Sequence, residues 1–298
     1  MGLATKAIKQ KIKSVKNIKK ITKTMEMVSV SKMKKTTERA TRGRAYSRYA
    51  LELLHHIAGE DHISHPFLEE KKTGKILVVV VSSNKGLAGA YNVNISKALG
   101  KYKLSAKKEI DCITIGKQSE KSARRNELNI IASFIEFSEK STSEEFLVIR
   151  DMIVDQFKTG TYEAVKVLYT EFKSSTSYKP FLMQVLPVKE EIYKDLLILD
   201  DSNPEKNIKK NKFSQYTFEP SEAEVLDTVI KQLLEQAIFH TFLESLASEH
   251  SSRMFAMKNA TDSANTMVSE LTLYYNRVRQ GAITQEIAEI VGGAAAMN

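Results

Sequence analysis

Residues 221–280 read SEAEVLDTVI KQLLEQAIFH TFLESLASEH SSRMFAMKNA TDSANTMVSE LTLYYNRVRQ, sixty residues without a proline or a glycine. At about 1.5 Å of rise per residue, a helix of this length spans roughly 90 Å, several times the diameter of a small domain. Within it Ala260, Ala264, Met267, Leu271, Tyr274 and Val278 step by 4, 3, 4, 3, 4. That is the alternation of a heptad, and it predicts one apolar face. Gly281 takes the next seam position, and Gly292 and Gly293 are helix-stop residues. Such a stripe ordinarily belongs to an amphipathic helix lying on its own domain. The length argues for a partner helix instead.

The N-terminus supplies that partner. Ile8, Ile12, Val15, Ile18, Ile21, Met25 and Val28 recur every three or four residues, and no proline occurs before Pro66. Helix is therefore expected from about residue 5 to about residue 57, with a disturbance at Gly43. Two such helices, one opening and one closing the chain, can bury their stripes as an antiparallel coiled coil. The seams are uneven. Arg253 and His250 fall on the backward extension of the C-terminal seam, and polar seam residues weaken a pair. Part of each helix is thus expected to face a third surface, supplied by another protein.

With 298 residues, 42% of them hydrophobic, the chain can bury a core and forms one or two domains. No apolar run approaches the eighteen or so residues of a membrane span, and the first thirty residues lack the uncharged core of a signal peptide. The expectation is a cytoplasmic start. The Lys-rich opening reads as mature protein, because arginine is absent before Arg39 and the helical pattern runs on unbroken. Cys112 is the only cysteine, which excludes an internal disulfide, a cysteine-only zinc site and a regulatory dithiol. The net charge of +9 is unevenly placed: residues 1–44 hold fourteen Lys and Arg against Glu26 and Glu38. A basic amphipathic rod of this kind can bind nucleic acid, an anionic membrane surface or an acidic protein groove. No helix-turn-helix, zinc-finger spacing or aromatic ribonucleoprotein signature accompanies it.

Residues 75–188 change character. KILVVVVSS (75–83), EIDCITIG (109–116), AVKVLYTEF (164–172) and PFLMQVLPV (180–188) are short β-branched runs, and a further strand is expected near 130–134. Helical patterns lie between them at about 90–104, 117–126 and 142–158. The alternation predicts a mainly parallel, Rossmann-like α/β domain inserted between the halves of the coiled coil. Four segments follow: an N-terminal helix at 1–60, the α/β domain at 75–188, a polar connection at 189–220 and a C-terminal helix at 221–298.

Candidate chemistry is sparse. The first strand leads into Ser83-Asn84-Lys85-Gly86-Leu87-Ala88-Gly89-Ala90-Tyr91-Asn92, a position that can cradle a phosphate in doubly wound folds. Gly86 and Gly89 alone match neither the dinucleotide nor the P-loop spacing, so the turn reads as a tight strand-to-helix connection. His55, His56, His62 and His65 gather around Glu60 and Asp61 without a rigid ligand spacing and read as a solvated helix end. There is no nucleophile elbow and no HExxH. No catalytic residue, cofactor or metal ligand is assigned.

Longer strings carry more information. Ser248-Glu249-His250, Arg253-Met254, Met257 and Asn259-Ala260-Thr261-Asp262 are followed by Tyr275-Asn276-Arg277-Val278-Arg279-Gln280, Ile283-Thr284-Gln285-Glu286-Ile287 and Glu289-Ile290-Val291-Gly292-Gly293-Ala294. This order closely resembles the C-terminal helix of the gamma subunits of F-type ATP synthases. Ser14-Val15-Lys16-Asn17, Lys20-Ile21-Thr22-Lys23 and Met25-Glu26-Met27-Val28 resemble the family's N-terminal helix, and the Gly86-Leu87 turn its central signature. Ala88 stands where many members have cysteine and Ala90 where many have glycine. Gly281 replaces a small residue, usually alanine, at a helix-interior cost on the order of 1 kcal/mol. The connection at 189–220 lacks the cysteine pair of chloroplast relatives, so the bacterial type fits better.

The resemblance implies a rotor shaft inside a ring of three alpha and three beta subunits, with the α/β domain beside epsilon on the membrane-embedded c-ring. It implies torque transmission that couples proton translocation to ATP synthesis or hydrolysis, with no catalysis by this chain. The complex would sit at the cytoplasmic face of the bacterial plasma membrane. Arg279, Gln280 and Thr284 would meet the beta subunit, with Met25 opposite on the N-terminal helix. Ile287, Ile290 and Val291 would sit in a hydrophobic bearing of the hexamer. Arg42, Arg44, Tyr46, Tyr216 and Glu219 would form the foot on epsilon and the c-ring. The competing readings are a basic coiled coil that binds nucleic acid or a membrane surface, and an oxidoreductase or nucleotidase built on the α/β domain.

Overall fold

The computed structural model describes the backbone of residues 3–58, 65–71, 73–188 and 219–296, and the side chains of 5–42, 65–71, 73–188 and 219–294. Two helices dominate: α1 (Leu3–Ala58) opens the chain and a helix of 75 residues (Glu222–Ala296) closes it. Between them lie β1 (Lys75–Val81), α2 (Tyr91–Ala106), β2 (Ile110–Ile115), α3 (Lys117–Arg125), β3 (Asn129–Phe134), a 3-10 turn (Ser143–Phe146), α4 (Leu147–Lys158), β4 (Tyr162–Ser174) and β5 (Ser177–Leu186). The C-terminal helix is therefore α5. The chain forms two compact units, one of Met1–Val30 with Arg253–Asn298 and one of Ser31–Ser252.

In the larger unit the sheet runs β3-β2-β1-β4-β5. β1 pairs parallel with β2 and β4, β2 parallel with β3, and β4 antiparallel with β5. The KILVVVV run of β1 is continuously apolar because the strand is covered on both faces. Ile76, Val78 and Val80 pack with Ile95 and Leu99 of α2, Cys112 of β2 and Ala123 of α3. Leu77, Val79 and Val81 pack with Ile149, Ile153 and Phe157 of α4 and with Leu226, Ile230, Leu233, Leu234 and Ile238 of α5. The first turns of α5 are thus a core element of the α/β body. A capping box, Thr142 with Glu145, starts the 3-10 turn that leads into α4.

Residues 31–42 of α1 also belong to this unit, and they grip the loop after β3. Arg39 donates to the carbonyls of Glu139 and Ser141, and its guanidinium lies 5.7 Å from the centre of the Phe239 ring on α5. Lys32 pairs with Glu139. Burial opposes ionisation of that carboxyl, yet the hydrogen bond from Lys32 leaves it below the usual carboxylate range.

In the smaller unit α1 and α5 pair side by side. Thr22 Oγ1 and Thr261 Oγ1 lie 2.7 Å apart in a buried contact. From Thr22 the covered positions of α1 run back through Val15, Ile12 and Ile8 to Thr5, and from Thr261 those of α5 run forward through Ala264, Val268, Leu271, Tyr275 and Val278 to Ala282. Only an antiparallel pair matches two seams that leave one contact in opposite chain directions.

Candidate functional site

The sheet order places a reversal between β1 and β4: β2 and β3 are laid down on one side of β1 and β4 on the other. Open α/β sheets take their ligands at such a reversal, outside the carboxyl ends of the strands. Here α5 fills that place. Ser245 Oγ lies 2.7 Å from the hydroxyl of Tyr91 and 3.4 Å from Thr170 N. Ser248 donates to Thr170 O at 3.1 Å and Ser252 to Ala88 O at 2.7 Å. Ser251 donates to Ser175 O. The helix is buried nearly all round here, polar residues included.

The glycine-containing turn is closed by its own side chains. Asn92 Oδ1 accepts from Ser82 Oγ at 3.0 Å and lies 2.8 Å from Ser83 Oγ. Asn84 bridges to the carbonyls of Ile135 and Phe137 and to Lys117 N. Gly116, which ends β2, has φ +98, and a Cβ there would stand 2.3 Å from Ser82 O. Glycine is required because the two strand ends approach so closely.

At the opposite end of the strands Asp111, only 6% exposed, accepts from Tyr162 Oη at 2.8 Å and Asn129 Nδ2 at 2.9 Å, with Lys75 Nζ at 3.7 Å. Burial, then the bond to Asp111, pushes the Tyr162 hydroxyl above the ordinary tyrosine range. Burial also pushes the Cys112 thiol up to about 12, so it is an inert core side chain, as read from its apolar surroundings. His65 is buried beside Asp227, Nε2 to Oδ1 3.6 Å, while its Nδ1 accepts from Phe67 N at 3.3 Å. Burial lowers its pKa from 6.5 against the pull of Asp227, with Lys158 and Lys231 adding to the lowering. His55, His56, Glu60, Asp61 and His62 lie outside the described side chains. Among the described residues no cluster of three or more His, Cys, Asp or Glu could hold a metal.

The paired helices correct the predicted stripes. On α5 the covered positions are Thr261, Ala264, Val268, Leu271, Tyr275, Val278 and Ala282, whereas Met267 and Tyr274 are exposed. On α1, Ile18 is 53% and Ile21 59% exposed, with Met27 and Val28 also outward, while Thr22 and Ser29 are buried. Small hydroxyl residues take the seam because each can satisfy its own oxygen. Thr261 and Ser29 donate to the carbonyls of Met257 and Met25, four residues back. Apolar side chains are left on the outside of the pair.

The proposed contact residues separate accordingly. Arg279, Gln280 and Thr284 are exposed on α5, where the Thr284 hydroxyl donates to Gln280 O at 3.0 Å. Met25 is half-buried on α1. With Thr22 facing Thr261, Met25 stands near Lys258, about twenty residues and roughly 30 Å along the pair from Arg279. The two are therefore not opposite one another, because the antiparallel register carries them apart. Leu3 stands near Gln280, so among the described residues α5 runs on unpaired with α1 for about sixteen residues, roughly 24 Å. Ile287, Ile290 and Val291 are exposed on this single-helix tip. Arg42 and Glu219 are exposed in the larger unit. The side chains of Arg44 and Tyr46, and Tyr216 with the connection 189–218, lie outside the described residues. The residues that sequence reasoning passed over are Arg39 and the serine row of α5. The signal for the row was its spacing, i, i+3, i+7 for Ser245, Ser248 and Ser252, within a run that is otherwise core.

A family model for ATP synthase matches residues 4–297. The gamma chain of ATP synthase from Dehalococcoides mccartyi is 37% identical over 97% of this chain and 98% of its own length. The chain belongs to the ATP synthase gamma-chain family. The gamma chain of Buchnera aphidicola is likewise 37% identical, over 99% of both sequences. A chain in the rotor of the Euglena gracilis mitochondrial ATP synthase superposes with a TM-score of 0.63 at 18% identity, covering 94% of this chain and 99% of that one. That likeness shows a shared fold. These relatives support a subunit of ATP synthase, and they give no support to a basic nucleic-acid or membrane-surface binder. Among the described residues no helix is long and apolar enough to cross a membrane.

Proposed function

We propose that this chain is the central-stalk rotor subunit of a bacterial ATP synthase. It transmits torque between the membrane c-ring and an alpha3-beta3 catalytic head, coupling proton translocation to ATP synthesis or hydrolysis, and performs no bond chemistry itself. The observation that carries this reading is the tip of α5. Beyond the reach of α1 a single helix presents Ile283, Ile287, Ile290 and Val291 to solvent, the last three at 55, 71 and 62% exposure. An apolar row that the chain leaves uncovered fits a surrounding protein sleeve. Ile287, Ile290 and Val291 are assigned as the bearing, where contact is apolar and not directional.

Arg279, Gln280 and Thr284 are assigned to one level of contact with the beta subunits and Met25 to another. Arg42, Arg44, Tyr46, Tyr216 and Glu219 are assigned to the foot on epsilon and the c-ring, with the complex peripheral at the cytoplasmic face of the inner membrane. An asymmetric shaft presents a different surface to each beta subunit in turn. Such differential contact is what drives conformational change at a distant site. Mixing the purified chain with alpha and beta subunits should yield an assembled, ATP-hydrolysing complex. Failure of the chain to associate with them would remove the proposal.

A further inference from the structure

We infer that Ser245, Ser248 and Ser252 are positioning residues that fix the rotational register of α5 on the α/β body. The inference rests on the stalk function proposed above, because register matters where a helix must carry torque. The three lie on one stripe of the helix, and their exposures are 1%, 0% and 3%. Each reaches a different part of the body: Ser245 the hydroxyl of Tyr91 at the start of α2, Ser248 the end of β4, and Ser252 the carbonyl of Ala88 in the turn after β1.

Upstream, α5 is held by Leu226, Ile230, Leu233, Leu234 and Ile238. Apolar contact is strong but not directional, and the directional ties upstream are ion pairs of long side chains, Arg150 with Glu235 at 3.2 Å and Lys158 with Asp227 at 3.5 Å, which can follow a small rotation. A step of one residue in register turns a helix by about 100° and advances it about 1.5 Å. Hydrogen bonds tolerate neither change, since they weaken steeply with angle and distance.

The sheet makes the latch costly to open. β1 pairs with β4 only as far as Leu168, so two residues later Thr170 has no strand on that side. Ser245 and Ser248 supply the partners for its N–H and its carbonyl. A roll of α5 would leave both groups buried and unpaired. α5 is a single helix from Glu222 to Ala296, so it runs past Ser252 without a break.

The test uses the full complex in sealed vesicles, with ATP hydrolysis and ATP-driven ion uptake measured together. In the variant carrying Ser245→Ala, Ser248→Ala and Ser252→Ala, hydrolysis should persist while the ions moved per ATP fall below the value of the unaltered complex. A merely structural role would lower the melting temperature and leave this ratio unchanged. An unchanged ratio in an assembled triple variant overturns the inference. Should that variant not assemble, hydrogen exchange on the full chain with Ser245→Ala alone decides, since Ser245 Oγ is the partner of the Thr170 N–H. Roughly five-fold faster exchange at the Thr170 amide is expected, and unaltered exchange overturns the latch. If the unaltered chain drives no ion uptake in the complex, the stalk reading falls instead, while the exchange result still judges the serines.

Discussion

Two stretches of the same helix invert the usual rule. Residues 240–252 of α5 include Thr241, Glu244, Ser245, Ser248, Glu249, His250, Ser251 and Ser252, and all of these are buried. The last turns carry Ile283, Ile287, Ile290 and Val291, and all of those face solvent. Burial of Ser245, Ser248 and Ser252 is made tolerable by carbonyl and hydroxyl partners in the sheet, at the start of α2 and in the turn after β1. Exposure of the apolar stretch has no such compensation among the described residues. One part of the helix is finished by its own body, and the other is uncovered by any described residue.

The contrast can be broken by matched substitutions. Leu234→Ala removes a fully buried side chain from the body and should cost about 2–5 kcal/mol in denaturant unfolding. Equal cost from Ile290→Ala in the free chain would abolish the distinction, since an exposed position should change stability by less than about 0.5 kcal/mol.

A second effect is confined to the body. The pKa of His65 is depressed below 6.5 by burial, so the unfolded chain binds its proton more readily than the folded one. The stability it contributes is fully present above pH 6.5 and is lost as pH falls below that value, as protonation of Nδ1 breaks the bond from Phe67 N. His65→Asn should flatten this slope in thermal melts taken across that range. A slope that persists in the variant assigns the pH response elsewhere.

Smaller still is Gly281→Ala. A Cβ at this position meets nothing within 4 Å, so alanine should stabilise the free helix by up to about 1 kcal/mol, read as a gain in helical signal. Within the complex the same methyl tests whether a neighbour comes close. Least change in the free chain is expected from Arg279→Ala and Gln280→Ala, within about 0.5 kcal/mol, with their effect reserved for coupling or assembly. A melting-temperature loss as large as that of Leu234→Ala would mark them as packing residues.

The sequence made the strands legible because β1 is apolar without interruption, which is what a strand covered on both faces requires. Helix extent was legible too, since nothing in residues 221–280 could break it. The phase of the seam was not. Choosing apolar residues for the interior selected Ile18, Ile21, Met267 and Tyr274, which are exposed, and passed over Thr22 and Thr261, which touch. That rule ranks side chains by polarity alone, whereas the seam here takes small hydroxyl residues that bond their own helix carbonyls. The serine latch was equally hidden, because a hydroxyl spacing becomes meaningful only once a carbonyl is known to stand opposite. The contact residues proposed at 279–291 rest on family resemblance. Geometry then separated Met25 from them by register.

The unsupported tip has a consequence for the life of the chain before assembly. Beyond the described end of α1 its helical hydrogen bonds are guarded by no tertiary contact among the described residues, so this segment should open at little cost. Proteases act on such openings, and an orphaned copy should be trimmed from the C-terminus first, through Ile290 and back toward Ala282. Enclosure would erase that vulnerability. A protected C-terminus in a timed digest would then count the molecules that have found their partners.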